Sequence, residues 1–128
     1  MIYGIGTDVV EVARIAQKVY ERPGFVELVF SESERQYCQK QPNPPENFAA
    51  RFAAKEAFLK ALGTGMEATF ELHQIEIVHL SHGAPSLQLS PALTQFVQEK
   101  TQGKPYRIHV SLSHTKMIAT AYVVLEVF

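Results

Sequence analysis

The stretch Arg51-Phe-Ala-Ala-Lys-Glu-Ala-Phe-Leu-Lys-Ala-Leu-Gly-Thr-Gly65 is built from good helix formers, holds no proline and runs out at two glycines. It predicts a helix whose apolar side carries Phe48, Ala49, Phe52, Ala53, Leu59 and Leu62 at three- and four-residue steps. Glu56 interrupts that side, since it lies on the same face as Phe48 and Phe52. A carboxylate placed there needs a partner, because an isolated buried charge is strongly unfavourable. Two readings stand at this point: an ion pair with Lys55 or Lys60 at the rim of a core, or a metal ligand.

The rest of the chain sets the bounds for that choice. At 128 residues it predicts one domain, with 46% apolar and 20% charged residues. A net charge of −1 excludes a binder of nucleic acid that works by bulk charge, so any basic site must be local. The lone Cys38 allows no internal disulfide and fits a reducing compartment. With no apolar run long enough for a membrane span and no basic-then-apolar start, the expected location is the cytoplasm.

Upstream, Ile2 to Val10 predicts a strand in which Gly4 and Gly6 mark the close approach of another backbone or a ligand. Asp8 stands at the end of that strand, where it caps the next helix or holds a cation. The helix from about Val10 to Arg22 turns Val12, Ile15 and Val19 inward. Arg14, Lys18 and Arg22 recur every fourth residue on another face, a stripe suited to water or to an acidic protein partner. Pro23-Gly24 ends this helix, and Ser31-Glu-Ser-Glu34 is a capping box for a short helix to about Gln39. Asn43 with Pro44 and Glu46 signals the start of the central helix.

Downstream the pattern turns β-like. Gln74 to Val78 and Ser86 to Ser90 alternate around Ser81-His-Gly-Ala-Pro85, a hairpin. Ser90 caps and Pro91 starts another helix, closed by Gly103. Tyr106 to Ser113 alternates strictly, with Ile108, Val110 and Leu112 opposite Arg107, His109, Ser111 and Ser113. A final strand from Met117 to Phe128 contains Tyr122-Val-Val-Leu125, a run expected to be buried on both faces. The fold class is therefore α+β, an antiparallel sheet packed with helices.

No Cys/His spacing supports zinc, and no nucleophile elbow supports a serine hydrolase. Gly4-Ile-Gly6 lacks the third glycine of a dinucleotide fingerprint. Asp8 and Glu56 instead suit a hard ion such as Mg²⁺, which takes one or two carboxylates and completes its shell from phosphate. Arg51, Lys55 and Lys60 flank Glu56, while Gly63 to Gly65 offers backbone N–H groups and Ser113 and His114 add donors. Together they point to a Mg²⁺-dependent enzyme acting on a phosphoanhydride.

Three blocks carry a resemblance. Gly4-Ile-Gly-Thr-Asp-Val-Val-Glu-Val-Ala-Arg-Ile15, the Arg51–Gly65 stretch and Val110-Ser-Leu-Ser-His-Thr115 resemble, in order and spacing, the signatures of the holo-acyl-carrier-protein synthases, small bacterial 4′-phosphopantetheinyl transferases. The resemblance implies a compact homotrimer of single-domain subunits with coenzyme A between neighbours. It implies transfer of 4′-phosphopantetheine from coenzyme A to a serine of apo-acyl-carrier protein, with release of 3′,5′-ADP, for fatty acid biosynthesis. Asp8 and Glu56 would hold Mg²⁺, and Lys60 would neutralise charge on the phosphate. Arg51 and His114 would meet the 3′-phosphate and ribose, with Gly63, Gly65, Pro85, Ser113 and Thr115 also along the coenzyme A. The Arg14, Lys18 and Arg22 stripe would dock the acidic carrier protein.

Overall fold

In the computed structural model, which describes residues 1–63 and 70–128, the chain opens with strand β1 (Ile2–Glu11) and turns directly into helix α1 (Val12–Glu21). The strand outruns its predicted end, so Asp8 lies inside it. Glu11 takes the cap position of α1 without a side-chain bond, and the capping role expected of Asp8 is not found. A short helix α2 (Phe25–Val29) follows Gly24; the sequence pattern did not foresee it. Helix α3 (Glu32–Gln39) starts with the predicted box, in which Ser31 Oγ accepts from the Glu34 N–H and the Glu34 carboxylate accepts from the Ser31 N–H.

The central helix α4 runs from Pro44 to Leu62. Asn43 precedes it without a capping bond from its side chain. Gly63 stops it at φ 81°, a left-handed position that glycine adopts without strain. The helix is more buried than its spacing implied. Ala50, Arg51, Ala54, Lys55, Ala57, Phe58 and Ala61 join the expected apolar face, so α4 is enclosed on nearly every side.

A 3₁₀ turn (Leu72–Gln74) leads into β2 (Ile75–His79) and β3 (Pro85–Leu89), the predicted hairpin. Helix α5 (Pro91–Lys100) is capped by Ser90 as expected, and β4 (Tyr106–His114) and β5 (Ile118–Val127) complete the chain. The strands form two antiparallel sheets rather than one. β1, β5 and β4 lie in that order, and among the described residues β2 pairs with β3 alone. Register places Asp8 opposite Ala121, and Leu112 opposite the same Ala121 from the other side.

Two apolar cores sit around α4. One joins Ala53, Ala57, Phe58 and Leu62 to the hairpin, α5 and the inner face of β5. The other joins Phe48 and Ala49 to Ile15, Phe30 and Cys38. Burial and nearby Glu34 push the Cys38 thiol up to about 12, so it is inert packing. Tyr122-Val-Val-Leu125 is not covered on both faces: Val123 and Leu125 are in the core, but Tyr122 is 56% exposed. The strand is half-buried, because α4 and the hairpin cover only one side of the sheet.

Candidate active site

Small side chains bring the site together. On β1 the even-numbered residues Gly4, Gly6 and Asp8 face α4. A Cβ on Gly4 would stand 1.9 Å from the Ala61 carbonyl oxygen, and one on Gly6 would stand 1.8 Å from that of Ala57. Strand and helix therefore touch backbone to backbone, as the glycines predicted. Asp8, two residues on, comes out beside the next side chains of the helix. Lys60 Nζ donates to Asp8 Oδ1 at 3.1 Å and to the Thr7 carbonyl at 3.0 Å.

Glu56 belongs to the same cluster. Its pKa is raised, first by burial and then by the negative charge of Asp8, while Lys60 pulls it the other way. Neither lysine pairs with it: among the described residues no cation lies within 4.0 Å of its carboxylate. Two carboxylates distant in sequence thus feel one another's charge in a half-buried setting. This donor set fits a hard divalent cation. Among the described residues no group of three or more His, Cys, Asp or Glu converges, so such an ion would draw its other ligands from phosphate or water, the habit of Mg²⁺.

Lys55 corrects the expectation that it flanks a phosphate. It is fully buried, 2.7 Å from Glu34 Oε1, and donates to the carbonyls of Leu72 and Ile75. Glu34 Oε2 accepts from the Ile77 N–H at 3.0 Å. The pair pins α3, α4 and the hairpin together and reaches no ligand.

Arg51 is also buried, yet it lines a cavity of about 290 Å³ together with Tyr37, His79, Pro85, Ser111 and His114. Its guanidinium lies 4.2 Å from the Tyr37 ring centroid, and Nη2 is 3.2 Å from His79 Nδ1. His79 stacks on Tyr37 with centroids 4.8 Å apart and an interplanar angle of 18°. Partial burial, then the Arg51 charge, lowers the His79 pKa, which keeps its ring neutral as an acceptor for the guanidinium. The Arg51 Nε is buried without a partner among the described residues. His114 Nδ1 sits 3.4 Å from Glu46. A fixed cation, flat rings and a strand-end histidine thus line one cavity.

Of the sequence-predicted contacts, Arg51, Pro85 and His114 line this cavity. Ser113 is exposed beside it, and Ser111 takes the place expected of Ser113. The Thr115 hydroxyl accepts from the Met117 and Ile118 N–H groups, so it shapes the turn. Gly63 is exposed at the end of α4, and Gly65 lies outside the described residues. Tyr37, Asn47 and His79 were missed by sequence reasoning. Only the alternation of Ser111 with Ser113 offered a signal, and the others come together through tertiary packing. Asp8, Glu56 and Lys60 are not among the cavity's lining: they sit with β1, the cavity opens along β4, and β5 lies between.

On α1 the stripe is a true cluster. Arg14, Lys18 and Arg22 surround a shallow depression with Gln17 and Glu21. Burial, followed by the charges of Arg14 and Arg22, lowers the Lys18 pKa. Val12 and Ile15 face the core, as predicted.

A family model described as the 4′-phosphopantetheinyl transferase superfamily matches residues 4–124. The chain is 43% identical over 126 residues to a holo-[acyl-carrier-protein] synthase of Cytophaga hutchinsonii, with 98% of each covered. It is 43% identical over 128 residues to one of Koribacter versatilis, covering 98% of this chain and 99% of the relative. The crystal structure of a holo-[acyl-carrier-protein] synthase from Neisseria meningitidis matches with a TM-score of 0.86 at 36% identity, over 98% of this chain and 99% of the other. A holo-(acyl-carrier-protein) synthase from Bacillus anthracis str. Ames, in complex with CoA (3′,5′-ADP), matches with a TM-score of 0.80 at 35% identity, over 100% and 99%.

Proposed function

The chain belongs to the 4′-phosphopantetheinyl transferase superfamily, and on that premise we propose that it is a holo-[acyl-carrier-protein] synthase acting as one 128-residue domain. It moves the 4′-phosphopantetheine group of coenzyme A to a serine hydroxyl of apo-acyl-carrier protein, in fatty acid biosynthesis. The observation that carries this reading is the convergence of Asp8 and Glu56, joined by Lys60, at the contact of β1 with α4.

The two carboxylates would hold Mg²⁺, which supplies charge neutralisation at the diphosphate of coenzyme A. The serine oxygen forms a new bond to the β-phosphorus, the anhydride bond breaks, and 3′,5′-ADP leaves with the electron pair. Lys60, more than half exposed, can swing its ammonium onto the phosphate oxygens as charge builds there. Asp8 or Glu56 offers an acceptor for the hydroxyl hydrogen. Arg51 and His114 receive the 3′-phosphate and ribose end, with Pro85 as a wall.

Separation of the carboxylates from the cavity by a strand supports a homotrimer, in which one copy's β1 edge and a neighbour's β4 edge complete each site. The open face of the sheet, with Ile5 70%, Val9 62% and Tyr122 56% exposed, supplies apolar surface for it. Arg14, Lys18 and Arg22 dock the acidic carrier protein at the rim. A cytoplasmic location goes with this reading; Cys38 is unbridged, and no described helix is long and apolar enough to cross a membrane.

The test is mass spectrometry of apo-carrier protein mixed with coenzyme A, Mg²⁺ and this protein. A phosphopantetheine adduct on the carrier is the expected result. Formation of 3′,5′-ADP without adduct would make the protein a hydrolase instead.

A further inference from the structure

We propose that Lys60 is a resident counter-cation of Asp8 which a divalent ion must displace, and that coenzyme A promotes the exchange by drawing the ammonium onto its phosphates. This rests on the reading of Asp8 and Glu56 as metal ligands. It adds that metal and coenzyme A help one another bind through a lysine, beyond any bond between them.

The geometry is specific. Lys60 Nζ is 3.1 Å from Asp8 Oδ1 and 3.0 Å from the Thr7 carbonyl, so both of its bonds go to the end of β1 where the ion would sit. The Lys60 side chain is 54% exposed, whereas Asp8 is 16% exposed. The carboxylate is therefore fixed and the ammonium is the partner free to leave. Glu56 has no such occupant among the described residues, although it lies within reach of Asp8's charge. A dication at Asp8 would face the ammonium across a single carboxylate, and like charges at that range repel strongly where solvent screening is partial.

Release needs somewhere for the ammonium to go. Lys60 stands in the last turn of α4, with four methylenes between its backbone and its charge. A diphosphate arriving beside Asp8 offers oxygens that bind the ammonium as well as the carboxylate did. Coenzyme A therefore raises the affinity for the metal, and reciprocity requires the metal to tighten coenzyme A by the same factor. In the free protein, Lys60 keeps Asp8 ordered and neutralised while disfavouring stray ions.

Mn²⁺ binding, followed by the spin resonance signal of the free ion, tests this with and without saturating coenzyme A. Lys60→Gln, without coenzyme A, should bind Mn²⁺ about tenfold tighter than the wild type, the scale of a partly screened repulsion. The tightening by coenzyme A should shrink by a similar factor. Lys60→Arg keeps the charge and should match the wild type. Equal or weaker Mn²⁺ binding in Lys60→Gln, or Mn²⁺ binding in Lys60→Arg as tight as in Lys60→Gln, overturns the proposal. Asp8→Asn separates the two levels. If it loses Mn²⁺ while Lys60→Gln is unchanged, the metal site stands and the exchange falls. If it binds as the wild type does, Asp8 is no ligand and both fall.

Discussion

Glu56 sits where its own charge is disfavoured, by burial first and by Asp8 second. A carboxyl whose folded pKa is raised has its full relative stability below the unfolded value, here 4.5, and loses it as pH rises through the folded value. Glu56→Gln removes that loss. Without metal, the variant should resist urea better than the wild type at neutral pH, and the advantage should fade as pH falls toward 4.5. The same substitution should lower phosphopantetheine transfer at least about a hundredfold, judged by what lesser changes around metal sites cost. Full transfer by Glu56→Gln would remove this carboxylate from the mechanism. At this scale the sequence singled out Asp8, Glu56, Lys60 and Arg51 as charged residues in apolar or glycine-rich settings, and left open whether Asp8 caps a helix and whether Glu56 pairs with a lysine. It misread Lys55, which has the same neighbours as Glu56 but points into the core. One helical position changes the face by about 100°, and nothing local shows that Glu34 waits there.

Between elements, two contacts hold the site's frame. The first is the Glu34–Lys55 pair, which joins α3, α4 and the hairpin that carries His79 and Pro85. Lys55→Met strands a buried carboxylate and should destabilise the fold by about 3–5 kcal/mol. Adding Glu34→Gln should recover part of that loss in a urea titration; a double variant no better than the single would deny the coupling. The second is the glycine contact of β1 with α4. Gly6→Ala forces a methyl against the Ala57 carbonyl and should remove about 1–3 kcal/mol or more, with Mn²⁺ binding weakened as Asp8 moves from Glu56. On α1 the expectation is kinetic: Arg14→Glu should raise the KM for carrier protein well above any change for coenzyme A, and equal changes would end the docking role. Elements were the most legible level. Ser31 with Glu34, Ser90 with Pro91, and Gly63 mark their ends through local bonds that the sequence spells out. α2 escaped because five residues carry too little periodicity. The division into two sheets escaped because strand partnership is set by tertiary packing, not by alternation.

For the molecule as a whole, the open face of the β1-β5-β4 sheet is the feature no pattern revealed. The run Tyr122 to Leu125 reads as uniformly apolar whether its outer side meets solvent or another copy. On the proposed homotrimer, in which each site draws on two copies, Tyr122→Glu should give monomers in sedimentation and abolish transfer. A monomer with wild-type activity would place the whole site within one chain. The strand order has another consequence, for how the molecule comes to be. The Met1 ammonium bonds the Val127 carbonyl, 126 positions away, and among the described residues β1 pairs with β5 alone. A nascent β1 therefore waits for β5 before it can pair, and the sheet closes only once that later strand is made. Such long loops make closure entropically demanding, so renaturation should be slow for a chain of this length.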